Sequence, residues 1–451
     1  MRPLLSIARN AFIESLRQPI VLVVVLLSGV FQYFNTAMSA YSMGYRTFSG
    51  EVTGDNKLLF DVGMGTTFIC GILVASFIAT AIVSREIENK TVLTVVSKPI
   101  NRASVVVGKF FGVMGATILA SLIMIIFLLL ALRHGVMQNA SDDLHMPVIL
   151  FGCGAVLISL TIGAVGNYTY GWPFSQTVLL TLAPLIVIAY VAAAPFTADW
   201  KYAKPEDFIK PDVIKACIAS LGALVVLTSI ATAASTRLGQ VMTIMVCLGA
   251  FLLGLLSDYF IGRHAFENTP IAYIESVEPT RPEYEEFIEP GDEYYVYFGA
   301  PTDARITRGD RFFYGASPNG LGMITPGFEP VPADTDLNRT LLPEGTPSAI
   351  VILEATPESL RIKQYGARGV PVSRPPEAGD WVFLEPTTVD WTARTAWSLI
   401  PRMHSFWLVD AVTQGRAIPM SHVGLVLIYS LIQAAGFMGL AILLFQGRDL
   451  G

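Results

Sequence analysis

Charge is what this sequence has least of. Only 15% of its 451 residues are charged, whereas 53% are hydrophobic, and its mean hydropathy is +0.54. A disordered chain is excluded and an ordinary water-soluble enzyme is disfavoured, because a surface facing water needs more charge than this. Cysteine is scarce as well: Cys70, Cys153, Cys217 and Cys247 all fall inside apolar runs, which leaves neither a disulfide framework nor a zinc-ligand spacing. The five histidines, His134, His145, His264, His404 and His422, are scattered, and no HExxH occurs to suggest an intramembrane metalloprotease. A phosphate-cradling GxxxxGK[ST] loop is missing too, since Gly108-Lys109 has Ala103 and Phe110 where that loop requires Gly and Ser or Thr. No apolar run carries a charge near its centre, which speaks against transport through a charged relay. Uphill work by this chain would draw its energy from a partner.

What the sequence does have is long apolar runs, several reaching the roughly 20 residues needed to cross a bilayer as a helix. Spans are expected at about 19–37, 66–83, 105–132, 147–166, 173–194, 214–235, 239–261 and 423–445, a total of eight. Residues 38–61 read as a polar loop, and the stretch NYTYGW as a tight turn between the fourth and fifth spans. Ahead of the first span, Leu4, Leu5, Ala8, Phe12 and Leu16 recur at helical spacing opposite Arg2, Arg9, Asn10 and Arg17. That pattern predicts an amphipathic helix along the membrane surface which turns inward at Pro19. It lacks the compact apolar core and cleavage site of a signal peptide, so it is expected to be retained. The connector after the second span carries Arg85, Lys90, Lys98, Arg102 and Lys109, which places it and both termini in the cytoplasm by the positive-inside rule. Lys201, Lys204, Lys210 and Lys215 then lie in or beside a short external loop, against the trend of that rule.

One segment differs from the rest. Residues 262–396 hold 21 Asp and Glu against 11 Lys and Arg, together with 16 of the 27 prolines, and no spanning run. Aromatic and β-branched runs at 271–277, 293–299, 311–314, 349–354 and 380–385, broken by Pro and Gly, predict a small antiparallel β domain outside the cell. The expected fold is therefore a polytopic α-helical membrane protein of about eight spans with an N-terminal amphipathic elbow helix and an inserted extracytoplasmic β-rich domain. Residues 1–261 form the elbow and bundle, 262–396 the insert, and 397–451 an interfacial segment, the last span and a short tail. Trp381 is expected in the β core, and Trp397 and Trp407 as membrane-interface anchors. The acidic run from Glu283 to Glu293 lacks the EF-hand pattern and reads as a solvated face. Asp410, Gln414 and Arg416 read as polar caps ahead of the last span.

The most specific stretch is the connector: Arg85-Glu86-Ile87-Glu88-Asn89-Lys90-Thr91-Val92-Leu93, then Ser97-Lys98-Pro99-Ile100-Asn101-Arg102, then Gly108-Lys109. It resembles the loop of ABC transporter permease subunits of the type 2 exporter family, in which a glutamate-rich helix, a proline turn and a Gly-Lys pair join the second and third spans. The amphipathic N-terminal helix and the closing stretch IPRMHSFWLVDAVTQGRAIP, one span, FQGRDL resemble the same family. The sequence departs from it at Lys90, where members often have Gly, and in its eight spans, where six are common. The residues themselves suit a mechanical contact. Val92, Leu93 and Val96 give an apolar side that fits a partner's groove, and Pro99 stops the helix.

The resemblance implies a coupling helix, with Glu86, Glu88, Thr91, Leu93, Lys98, Pro99 and Arg102 meeting a separate ATPase subunit. It also implies a second permease, identical or related, and a place in the cell's inner membrane among its lipids. No cofactor is expected on this chain, with ATP and magnesium on the ATPase, and no nucleic acid is expected as a partner. The competing expectation is a non-transporting scaffold or envelope sensor acting through the external domain. A membrane enzyme is weakest, because no nucleophile, base or metal constellation is visible.

Overall fold

The computed structural model describes residues 2–39, 55–84, 101–137, 144–208, 210–284, 287, 289–316, 336, 349–366, 374–385, 387–413 and 418–446. The chain divides into two compact units, one of Met1–Leu255 with Pro401–Gly451 and one of Leu256–Ile400.

The first unit is helical. Helix α1 (Arg2–Leu16) ends where Gln18 turns extended, and α2 (Pro19–Met38) begins with proline in its first turn, where a missing N–H costs nothing. Helix α3 (Asp55–Ala79) runs on into a π-helical turn at Thr80–Ser84. Helix α4 (Arg102–His134) is capped by the Asn101 side chain, which accepts from the Ala103 N–H, and stops at Gly135 with φ 81°. Helices α5 (Met146–Tyr170) and α6 (Phe174–Ala193) make a hairpin, followed by α7 (Pro211–Ser235) and α8 (Gln240–Ser257). Helix α8 continues into the second unit through a π-helical turn at Asp258–Gly262; α9 (Trp391–Leu399) also belongs to that unit, and α10 (Met420–Gln446) to the first. Among the described residues, eight helical stretches are long and apolar enough to cross a membrane, and they coincide with the eight expected runs.

Two boundaries differ from expectation. The second span begins at Lys57, about nine residues before the expected Thr66, because its charged first turns have partners. Lys57 pairs with Asp410 at 3.4 Å, and the Asn35 side chain donates to the Leu59 carbonyl. In NYTYGW, Asn167 to Tyr170 remain helical, and the turn is made by Gly171 with φ 69° and the Trp172-Pro173 that follows. Trp172 itself folds back to cover Gly166.

Burial ranks the helices. The α3 and α7 spans are 78% and 72% buried whereas the α8 span is 17% buried, so α3 and α7 are central and α8 peripheral. The polar side chains of α7 do not oppose this burial. Thr228, Ser229, Thr232 and Ser235 each donate to a carbonyl three or four residues back, which leaves no donor unmet. Helix α1 reaches α4 across a stripe of glycines. A Cβ at Gly112 would lie 2.5 Å from the Ala8 carbonyl oxygen, and one at Gly108 would lie 2.9 Å from the Ile7 side chain, so close backbone approach is what these glycines permit.

The second unit holds the sheets. Strands β1 (Phe266–Glu267) and β8 (Thr388–Val389) pair with each other. A six-stranded antiparallel sheet has the order β4-β7-β2-β3-β6-β5, formed by β2 (Pro270–Pro279), β3 (Glu293–Phe298), β4 (Phe313–Gly315), β5 (Ala349–Ala355), β6 (Ser359–Tyr365) and β7 (Trp381–Phe383). Ile274, Val296, Ile350, Ile362 and Val382 build its core. Strand β6 is absent from the sequence expectation because Arg361 and Lys363 interrupt the apolar pattern. Both point away from the core and clasp Glu293 of β3 at 2.7 and 2.9 Å. Trp381 is half-buried, edge-on to Tyr273, and outside that core cluster. Trp397 is no surface anchor: it is buried against Gly262, and its indole N–H donates to Asp258.

Replacing Gly112 by leucine should force α1 off α4 and lower stability by about 1–3 kcal/mol, the usual cost of overpacking. Thermal unfolding in detergent reads this, and Gly154→Ala, at a site with nothing nearby, should unfold like the unaltered protein. Burial alone would raise the Glu293 pKa, but hydrogen bonds from Lys363 and Arg361 outweigh it and hold the carboxyl below its ordinary value. Its contribution is thus complete above the ordinary carboxylate range and is lost as pH falls through the lowered value. Glu293→Gln should flatten that part of an acid titration followed by tyrosine and tryptophan fluorescence.

Candidate coupling site and membrane cavity

Of the connector residues singled out in the sequence, Glu86, Glu88, Thr91, Leu93, Lys98 and Pro99 lie outside the described residues, and Arg102 opens α4. The described residues include the footing of that connector. Where it departs, the π-helical turn after α3 shifts the hydrogen-bond register. Where it returns, Asn101 caps α4. Between the two, Lys109 is 8% exposed and its Nζ donates to the Ile82 carbonyl at 3.0 Å. An ammonium buried in an apolar bundle requires such partners, and a π turn is a place where a backbone carbonyl becomes available.

Around that bond lies one apolar cluster: Val83 of the π turn, Val106 and Phe110 of α4, Ala233 of α7, and Met438 and Phe445 of α10. Four spans therefore meet at the root of the connector. Ile7 of α1 rests on Gly108, the neighbour of Lys109. In the sequence Gly108-Lys109 is the Gly-Lys pair of the family resemblance, without a contact for the lysine; the signal for one was a lysine seven residues into an apolar helix.

Contacts between helix ends sort them into two sets. One set holds the connector's footing and the Arg237 guanidinium, which follows α7 and donates to the Leu444 carbonyl near the end of α10. Arg17, before α2, donates to Gln176 at the start of α6. The other set joins the Thr36 carbonyl near the end of α2 to the Met137 N–H after α4, and Arg133 at the end of α4 to the Ala194 and Phe196 carbonyls after α6. Lys57–Asp410 belongs to this second set, as does Lys215, which donates to Asp212 and to the Ile418 carbonyl before α10. Each helix has one end in each set wherever both ends are represented, as required of spans that alternate in direction. Lys201 and Lys215, anomalous by the positive-inside rule, both carry acidic partners, Asp199 and Asp212. At this end His145 is largely buried, and that burial, followed by the nearby Arg133 charge, lowers its pKa.

A cavity of about 620 Å³ lies between α2, α4 and α5, toward the second set of helix ends, with almost wholly apolar walls. Among the described residues no group of three or more His, Cys, Asp or Glu is placed to hold a metal ion.

Residues 5–194, from α1 to the residue that follows α6, match the model of a family described as ABC-2 family transporter protein. The match supports an ABC-2 type permease, the membrane component of a transporter, which is generally not itself catalytic. Helices α7, α8 and α10, the β-rich unit and the closing FQGRDL stretch lie beyond the matched residues. No curated protein and no solved structure matches the chain.

Removing the ammonium with Lys109→Met should cost roughly 1.5–3 kcal/mol, the range for a hydrogen bond to a charged group. Lys109→Arg keeps a donor and should recover part of the loss in the same melting experiment, whereas equal melting of all three proteins would show that the bond contributes nothing.

Proposed function

We propose that this chain is the membrane-spanning permease of an ATP-driven exporter, energised by a separate ATPase chain that docks on the connector between α3 and α4. The observation that carries this reading is the family match, which spans the connector and the helices on either side of it. The docking residues are Glu86, Glu88, Thr91, Leu93, Lys98, Pro99 and Arg102. ATP and magnesium are bound and turned over on the partner. Two permeases, identical or related, work with two ATPases, and the transport path opens between them as the ATPases close.

The footing of the connector supports its use as a lever. A displacement between residues 85 and 101 enters the bundle at the turn beside Ile82 and at the capped start of α4, which Lys109 ties together. Those two points share an apolar cluster with α7 and α10, so the displacement reaches four spans at once. Close-packed interiors move such elements as blocks instead of absorbing the push. In this reading the connector and both termini are cytoplasmic, α1 lies at the membrane surface as an elbow, the β-rich unit is extracytoplasmic, and the membrane is the cell's inner one.

Tagged protein drawn gently from native membranes should bring down an ATPase subunit with its own phosphate-binding loop. Glu88→Lys should leave the permease folded but lose that partner, or leave it bound with ATP hydrolysis no longer tied to transport. Intact pull-down and coupled turnover in this variant would remove the connector from the mechanism. Protease added to spheroplasts, with the outer barrier opened and the inner membrane intact, should cut near Arg305 to Arg311; cutting only after the inner membrane is lysed would reverse the proposed orientation.

A further inference from the structure

Arginines stand where the span of α8 ends. That span runs Gln240–Ala265, so Arg263 and His264 occupy its last turn, at the depth where hydrocarbon gives way to headgroups. Helix α9 is fastened to the same turn. Its Trp397 is buried against Gly262 and donates its indole N–H to Asp258, and Phe266 meets that indole edge-on at 6.0 Å. Elsewhere α9 leaves Trp391 and Leu399 exposed, as the π turn leaves Tyr259 and Phe260. Exposed aromatic side chains at a span end, beside a short amphipathic helix, are the pattern of a membrane interface.

The cations at this end are held by rings and not by carboxylates. The Arg263 guanidinium lies over the Tyr259 ring at 4.8 Å, and that of Arg394 in α9 lies over Phe266 and Trp391 at 5.2 and 5.8 Å. Arg263 also donates from Nε to His264 Nε2 at 3.1 Å. Neither arginine forms an ion pair with a carboxylate among the described residues. The acidic residues nearest in sequence are engaged elsewhere: Asp258 accepts from Trp397, and Asp390 caps α9 by accepting from the Thr392 and Ala393 N–H groups. Glu267 follows Phe266 in strand β1, and alternation turns it to the opposite face. A ring covers the face of a guanidinium and leaves its N–H edge open, the edge that pairs in plane with phosphate oxygens.

We propose that this end of the β-rich unit binds the phosphate of anionic phospholipid headgroups, with Arg263 and Arg394 as the contacts and Tyr259, Trp391 and Leu399 resting in the interface beside them. Charge complementarity selects the occupant. Two cations at headgroup depth attract a headgroup of net negative charge, whereas in phosphatidylcholine the choline offsets the phosphate. The proposal needs neither an ATPase nor a particular side of the membrane, so it stands or falls apart from the exporter reading.

The test weighs full-length protein by native mass spectrometry in nonionic detergent with phosphatidylglycerol and phosphatidylcholine of the same acyl chains. Phosphatidylglycerol should be retained in preference. Arg263→Gln and Arg394→Gln should each lower that preference about fivefold, the factor for one arginine near an anionic surface, and their combination should lower it further. The lysine variants keep the charge without the planar fork and should fall between. Arg305→Gln, which removes an exposed arginine elsewhere in the unit, should change nothing. A second measurement needs no variant: phosphatidylglycerol carrying a photoactivatable group should label the peptides that contain Arg263 and Arg394. Equal retention of the two lipids by the unaltered protein, an equal drop in Arg305→Gln, or label confined to other parts of the chain would overturn the proposal.

Discussion

Hydrocarbon contains no water to satisfy a backbone amide or a buried side chain, and that constraint governs the whole helical unit. It makes each apolar run a helix, and it decides where polar groups can sit. The serines and threonines of α7 return their protons to their own helix, which lets a polar sequence occupy the centre of the bundle. Lys109 meets the same demand at the end of α3, where the π-helical turn presents the Ile82 carbonyl. Charges nearer the helix ends are met by one another, as with Lys57 and Asp410, or by carbonyls, as with Arg133.

The two kinds of helix end have different work in the proposed exporter. At the connector's end, packing is tight and small residues let helices touch: Gly108 and Gly112 admit α1 onto α4, and alanines of α7 and α10 fill the cluster beside the π turn. Such an arrangement suits the transmission of a push. Toward the other end, α2, α4 and α5 stand far enough apart to leave a cavity with almost wholly apolar walls. Ligand space and rigid coupling make opposite demands on packing density, and their separation along the helices meets both.

The β-rich unit follows other rules. Its strands have one face on an apolar core and one carrying charged and aromatic side chains, the arrangement of an antiparallel sheet with one face in water. Glu293 held between Arg361 and Lys363, and Asp380 gripped by Arg374, tie neighbouring strands and turns by charge as well as by backbone pairing.

The sequence by itself determined the eight membrane helices, the β character of the acidic insert and the resemblance to a permease family, because each depends on local period or local spacing. Its resolution ended where a partner distant in the chain set the outcome. Lys57 reads as loop until Asp410 stands beside it, and Trp397 reads as a surface anchor until Asp258 takes its N–H. Strand β6 looks too charged until Glu293 is found across the ladder, although its alternation of Leu360 and Ile362 with Arg361 and Lys363 was a signal in plain sight. Of the connector, the sequence supplied the motif, and the tertiary structure supplied the joint at its base, since the Lys109–Ile82 bond spans 27 residues of chain. The cavity was invisible to sequence reading altogether. Its walls come from three helices, α2, α4 and α5, whose lining residues stand up to 131 positions apart in the chain, from Leu26 to Leu157.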